Sequence, residues 1–355
     1  MPKCMMFKHG MTINPRGKVR PCCSFRNKGI IDYTIDQYDL WREQFDNFYE
    51  TSLNEWLPEC LECKENEQRG FTSLRMQANN KYENRDVYGL KYWDLKISNT
   101  CNLMCRMCSP RDSSIWYTTL KNNPQFDWHF QSFQNSKNSW HDTDLPFVKE
   151  QLYDAELVKF TGGEPMLVKH VKEVINYLID IGVSENIELL MTTNATVPFT
   201  DYWETLIEKF KHITITCSID AVGSRYEYIR AGADWQDVNN NVQHMLLLSK
   251  KHKNFDVNAY TTCTALNASN RDAIDLWVKD IGIKHFYGIE AVDPYFMSYS
   301  SLDDTLRKRY NVKSRHNFNI DHLNMLKKQM SYIDQIYGTD FKTECPEFFE
   351  GDSND

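Results

Sequence analysis

No apolar run in this 355-residue chain approaches the length needed to cross a bilayer, so no membrane span is expected. Basic charge is not in excess either. Forty-one Lys and Arg are set against 49 Asp and Glu, a formal charge of −8 with a pI near 5.7. That balance argues against bulk capture of a nucleic-acid backbone, which needs a basic face, and leaves only a local patch open. The first twenty residues lack the apolar stretch of a secretory signal, so a cytoplasmic protein is expected. Neither an internal repeat nor a low-complexity tract is present.

What the chain does have is the composition of a folded protein, 41% apolar and 25% charged. Order is expected throughout except in the acidic tail from Glu350 to Asp355. It also has 11 cysteines, at 4, 22, 23, 60, 63, 101, 105, 108, 217, 263 and 345. An odd number without an export signal makes disulfides improbable, and clustered thiols then point to metal.

Three regions follow from the pattern. Residues 1–85 carry five of the cysteines and a turn at Asn14-Pro-Arg-Gly17, and read as a small cysteine-anchored module. Over 86–295 short β-rich runs alternate with amphipathic stretches. Strands are expected at Tyr92–Ser98, Leu157–Thr161, Ile187–Thr193, Ile213–Ile219, Val257–Ala265 and His285–Ala291. Helices are expected near 147–154, 168–182, 201–211, 235–251 and 270–280. Six βα repeats predict an α/β fold, a partial (β/α)6 barrel working at the carboxyl ends of its strands. Residues 296–355 are expected to form a helical extension ending in the acidic tail. Segment 111–144 interrupts the rhythm, and its aromatics Trp116, Trp128, Phe130 and Trp140 suggest an ordered lid.

Chemistry is concentrated in Cys101-Asn-Leu-Met-Cys105-Arg-Met-Cys108, a CX3CX2C loop directly after a strand. Three thiolates can bind three irons of a cubane cluster and leave the fourth iron open for another ligand. A zinc site is the competing reading. The spacing resembles the signature of the radical S-adenosylmethionine (SAM) superfamily, and three further segments resemble motifs of that family.

Thr161-Gly162-Gly163-Glu164-Pro165 looks like the GGEP motif, which implies that the strand-end backbone and Glu164 meet the methionine ammonium of SAM. Ser218-Ile-Asp220, followed by Tyr226, Tyr228 and Arg230, is similar to the Ser-x-Asp and downstream Arg pattern of the peptide-modifying branch. The resemblance implies a ribose contact from the hydroxyl and a SAM-carboxylate contact from Arg230, whose planar fork suits a carboxylate. Ser and Asp also cap helices, and Arg230 equally suits an ion pair. Thr193-Asn194 stands where relatives often read Thr-Asn-Gly, with Asn194 either lining the SAM pocket or making the turn. The residue before the third cysteine is often aromatic in the family and here is Met107, whose thioether can still pack on adenine.

Cys4, Gly17-Lys-Val-Arg-Pro-Cys22-Cys23 and Cys60-Leu-Glu-Cys63 resemble elements of the auxiliary-cluster domain called SPASM, or its shortened twitch form. That likeness implies a second iron–sulfur cluster on Cys4, Cys22, Cys60 and Cys63, with Cys23 an alternative to Cys22 and a four-cysteine zinc site the competing reading. The order departs from the family, in which the auxiliary domain usually follows the barrel. Cys217, Cys263 and Cys345 are expected to be buried thiols without a ligand role.

The resemblance implies an enzyme in which a reduced [4Fe–4S] cluster cleaves SAM to methionine and a 5′-deoxyadenosyl radical that takes hydrogen from a substrate. It also implies an electron donor such as flavodoxin or ferredoxin. A peptide or protein side chain is the expected substrate, with a nucleotide or other small molecule as the alternative. Oxidation, crosslinking and epimerisation stay open. A non-catalytic iron–sulfur or zinc scaffold is the reading from another class, disfavoured because a scaffold has no need of a SAM pocket.

Overall fold

Eight short strands, most of them parallel, form the sheet of the computed structural model. Residues 2–26, 29–85, 89–123, 144–291 and 293–350 are described. The strands are β1 (Gly10–Ile13), β2 (Val19–Arg20), β3 (Tyr92–Lys96), β4 (Leu157–Thr161), β5 (Glu188–Thr193), β6 (His212–Ser218), β7 (Phe255–Cys263) and β8 (Lys284–Glu290). Their order is β2-β1-β3-β4-β5-β6-β7-β8. The six strands expected from the sequence are all present within two residues of their expected ends. The structure adds β1 and β2, which are too short to show a period.

Contacts divide the chain into two units, one built from 1–99, 137–191 and 205–213 and the other from 100–136, 192–204 and 214–355. In the first unit β1 runs parallel to β3 and antiparallel to β2, so the amino-terminal module contributes to the sheet. All four residues of β1 are buried. Helix α1 (Tyr38–Ser52) turns Trp41, Phe45, Phe48 and Ser52 inward, the three- and four-residue spacing of one helical face. Phe7, Phe25 and Phe48 pack together there with ring centroids 5.3–6.3 Å apart. Helix α2 (Leu61–Gln68) carries Cys63, and helix α3 (Leu74–Tyr82) begins at Ser73, whose hydroxyl accepts the Met76 amide at 3.1 Å. Helix α4 (Lys169–Asp180) buries Val171, Val174, Ile175 and Leu178.

In the second unit β7 alternates strictly, with Phe255, Val257, Ala259, Thr261 and Cys263 buried and paired in parallel to β8. Cys217 and Cys345 are buried as well, as expected of thiols packing as small hydrophobes. Helix α5 (Gly223–Ile229) leads to helix α6 (Trp235–Lys251), capped by Asp234. Beyond the strands the chain is largely helical, and its longest element is helix α7 (Ile320–Tyr337).

One buried cation joins that last helix to the cysteine loop. Arg106 is fully buried, and its side chain donates to Asp334 Oδ1 at 2.9 Å, Thr339 Oγ1 at 2.7 Å and the Tyr228 carbonyl at 2.5 Å. Its guanidinium lies 3.7 Å from the centroid of the Tyr228 ring, a cation–π contact shielded from water. Asp334 also accepts from Thr339 Oγ1 and the Phe341 amide. Removing one partner of a buried pair strands the other charge, so Asp334→Ala should cost roughly 3–5 kcal/mol. Lys169→Ala, which breaks an exposed pair with Glu173, should stay within about 0.5 kcal/mol. Chemical denaturation of both variants checks this, and equal losses would refute the role given to Arg106.

Candidate functional site

The three-cysteine loop lies in the second unit directly after β3. Its backbone is paired to the end of α5, with the Met104 amide donating to Ala231 O at 3.0 Å and the Arg106 amide to Ile229 O at 2.8 Å. The Cys108 amide donates to Cys105 O at 2.9 Å, closing the tight turn that brings the second and third thiols onto one bend. Trp116 is fully buried and its indole donates to Cys105 O at 2.9 Å. Ser113 Oγ donates to Leu103 O at 2.7 Å. This near end of the expected lid is thus a wall of the loop, whereas Trp128, Phe130 and Trp140 lie outside the described residues.

Around the sulfurs the same unit gathers three of the other residues marked by the sequence. Asp220, just past β6, is fully buried, and its Oδ1 accepts the Thr262 amide at 2.7 Å. Its Oδ2 takes a fork from Arg230, with Nε at 2.8 Å and Nη2 at 2.5 Å. The remaining arm of Arg230, Nη1, points at Cys105 Sγ at 3.9 Å. Asn194 follows β5 and makes the turn considered for it. Its Oδ1 accepts the Thr196 amide and hydroxyl at 2.9 and 2.7 Å, making the turn, while Nδ2 reaches Asn102 Oδ1 at 2.9 Å and Cys101 Sγ at 3.9 Å. Ala195, where the family often has glycine, sits at φ +60°, and the Tyr226 hydroxyl donates to the Asn194 carbonyl at 3.2 Å. Ser218 is the last residue of β6.

The donor set fits a metal–sulfur group better than it fits free thiols. Burial pushes the Cys105 thiol up to about 12, against the pull of Arg230, and lifts Cys108 well above its ordinary range, with Asp112 and the two neighbouring thiols adding to the effect. Thiols so placed stay neutral unless a metal takes their protons. The surrounding groups are nevertheless N–H donors aimed at sulfur, including the Leu103 amide at 3.4 Å from Cys101 Sγ, an arrangement that suits anionic sulfur. Among the described residues no three His, Cys, Asp or Glu are gathered as a site for a single ion.

Gly162, Gly163 and Glu164 belong to the first unit, at the end of β4. Gly162 has φ +119°, and a Cβ there would lie 2.7 Å from the Ser98 carbonyl oxygen. The Gly163 amide donates to that same oxygen at 3.1 Å. Glu164 is fully buried, and its Oε1 accepts the Met166 amide at 3.0 Å, capping the short turn begun by Pro165.

The first unit also brings the amino-terminal cysteines together. Cys4, Cys22, Cys60 and Cys63 line one pocket with Phe7, Phe25 and Arg75. Cys22 is buried and is not separated from its partners, whereas Cys23 is exposed and is absent from the lining. Burial pushes the Cys4 thiol up to about 12 against a donated Met6 amide. Cys63 is raised the same way, against the Arg75 amide and the Ser73 hydroxyl. Sequence reasoning missed Arg75. It holds Glu67 through Nε at 2.8 Å and Nη2 at 2.5 Å, donates to Lys3 O at 2.8 Å, and sits 5.1 Å from the Trp56 ring centroid. It also missed Arg106, whose place between two cysteines was the one available signal.

Residues 95–251 match the family model described as the Radical SAM superfamily. That segment holds the three-cysteine loop, Asp220 and Arg230. An uncharacterized protein of Methanocaldococcus jannaschii is 30% identical over 138 residues, which make up 39% of this chain and 40% of that protein. The chain therefore spans two fifths of that relative's length. Among solved structures, native anSMEcpe with bound AdoMet and the Cp18Cys peptide is 18% identical over 69% of this chain and 60% of its own, with a TM-score of 0.40. SuiB of Streptococcus suis bound to S-adenosylmethionine is 15% identical over 87% of this chain and 65% of its own, with a TM-score of 0.37.

Gly162 offers a direct check on the geometry at the end of β4. Gly162→Ala adds both a strained φ and a clash with backbone, and should cost roughly 2–4 kcal/mol. Gly282→Ala, at φ +72° with nothing near its Cβ, should cost only about 1 kcal/mol. Comparing the two thermal midpoints tests the difference, and a Gly162 variant as mild as the Gly282 variant would refute the close approach.

Proposed function

We propose that this protein is a radical SAM enzyme in which Cys101, Cys105 and Cys108 hold a [4Fe–4S] cluster with one iron left for SAM, and that its substrate is a peptide or protein side chain. The observation that carries the reading is the CX3CX2C loop, with Cys105 buried and N–H donors directed at the sulfurs of Cys101 and Cys105, inside a segment matching the superfamily. When bound and reduced, the cluster supplies one electron to SAM and so generates the radical that takes hydrogen from a substrate.

The chain's own residues have separable tasks in this reading. Arg106 and Trp116 hold the cysteine loop in shape for its three thiolates to bind the cluster. Gly162 and Gly163 keep the strand-end backbone free of side chains where SAM would approach, and Glu164 supplies a carboxylate for its ammonium. Ser218 offers a hydroxyl for ribose, and Asn194 an amide near the cluster. A reductant of the flavodoxin or ferredoxin kind would deliver the electron. The peptide preference rests on the likeness of Ser218-x-Asp220 and Arg230 to the peptide-modifying branch.

We further assign Cys4, Cys22, Cys60 and Cys63 to a second, auxiliary iron–sulfur cluster, in a twitch- or SPASM-like module that precedes the barrel. Four thiols around one pocket, with amide and hydroxyl donors at Cys4 and Cys63, support four-thiolate ligation. Cys23 takes no part in this assignment.

Anaerobic reconstitution followed by reductive SAM cleavage tests the first cluster. Replacing Cys101, Cys105 or Cys108 by Ala should abolish 5′-deoxyadenosine formation, and production at the unmodified rate by any of the three would end the proposal. For the second cluster, the triple alanine variant should keep about four irons of the roughly eight expected in the unmodified protein. Adding Cys22→Ser should remove them, while Cys23→Ser should not. Stoichiometric zinc without cluster absorption in the triple variant would make the amino-terminal module a structural zinc site.

A further inference from the structure

We propose that Arg230 and Asp220 act as an opposed pair of charges that sets the reduction potential of the cluster on Cys105, independently of any contact with SAM. This rests on the reading of Cys101, Cys105 and Cys108 as cluster ligands. Arg230 is 8% exposed and Asp220 is fully buried, so solvent and salt screen neither charge effectively. Asp220 is fixed by the Thr262 amide and binds two nitrogens of the guanidinium. That grip leaves Nη1 directed at Cys105 Sγ, 3.9 Å away.

Reduction adds one negative charge to a cluster already made anionic by its thiolates. A cation beside a ligand sulfur stabilises the reduced form more than the oxidised form, and a neighbouring carboxylate does the reverse. The two residues therefore push the potential in opposite directions. Arg230 is the partner whose N–H is directed at the sulfur. A contact with the SAM carboxylate, the role implied by resemblance, would act only with SAM present, whereas this effect exists in the SAM-free protein.

The test is a redox titration of the full chain, anaerobically reconstituted without SAM and followed by electron paramagnetic resonance on the signal that the Cys101, Cys105 and Cys108 triple alanine variant lacks. Arg230→Gln should lower the ratio of reduced to oxidised cluster at a fixed solution potential by about tenfold, a negative shift of about 59 mV for a one-electron couple. Asp220→Asn should move the midpoint the opposite way. Arg230→Lys keeps the charge and should stay within about threefold of the unmodified protein, which guards against a general folding defect in the glutamine variant. Shifts of the same sign in Arg230→Gln and Asp220→Asn, or no shift in either, would overturn the pairing, as would a tenfold loss in Arg230→Lys. If the unmodified protein forms no reducible cluster, the cluster reading itself falls and this inference with it. A normal cluster that cleaves SAM, with potentials indifferent to all three substitutions, removes only the inference.

Discussion

The cysteine loop depends on one buried guanidinium. Arg106 lies between two of the three thiols in the sequence and is fully buried. Its charge is met by Asp334, its Nη2 and Nε by Thr339 Oγ1 and the Tyr228 carbonyl, and its face by the Tyr228 ring. A buried ion pair of this kind contributes little net stability over a well-packed apolar substitute. Its value lies in direction: the fork fixes where the backbone of residues 104–106 runs, and amides on either side then pair with residues 229–231. Arg230 is drawn into the same framework, because the helix end that pairs with the loop is the segment that carries it.

Two kinds of polar order thus meet at the thiols. Arg106 faces away from them and determines shape, whereas Arg230 faces Cys105 and contributes charge. Asn194 adds a neutral donor at Cys101 while closing its own turn. The amino-terminal pocket repeats the pattern within its own unit, where Arg75 is held by Glu67 and its backbone amide faces Cys63. In both places a carboxylate restrains an arginine close to sulfur.

Much of this was legible in the sequence, for physical reasons that differ by element. β4 and helix α6 fell on their expected residues because one is a short β-rich run closed by Gly-Gly and the other an amphipathic period opened by the capping residue Asp234. The cysteine spacing was legible because a cluster site is local, eight residues long and independent of the rest of the fold. β1 and β2 were not, since four and two residues carry no alternation. Cys22 and Cys23 could not be separated either, because adjacent residues share every sequence property and differ only in which one faces the interior. Arg106 and Arg75 escaped for the opposite reason. A single arginine reads as surface, and only partners far away in the chain turn it into a buried fixture.

The distance between Arg106 and Asp334 also has a temporal side. The two residues are 228 positions apart, so a ribosome adding about 5–20 residues per second needs roughly 10–45 seconds to make the second after the first. Through that interval the three thiols exist on a nascent chain whose loop has no carboxylate to anchor it. The loop proposed to hold the cluster therefore gains its last anchor only when the polypeptide is nearly finished.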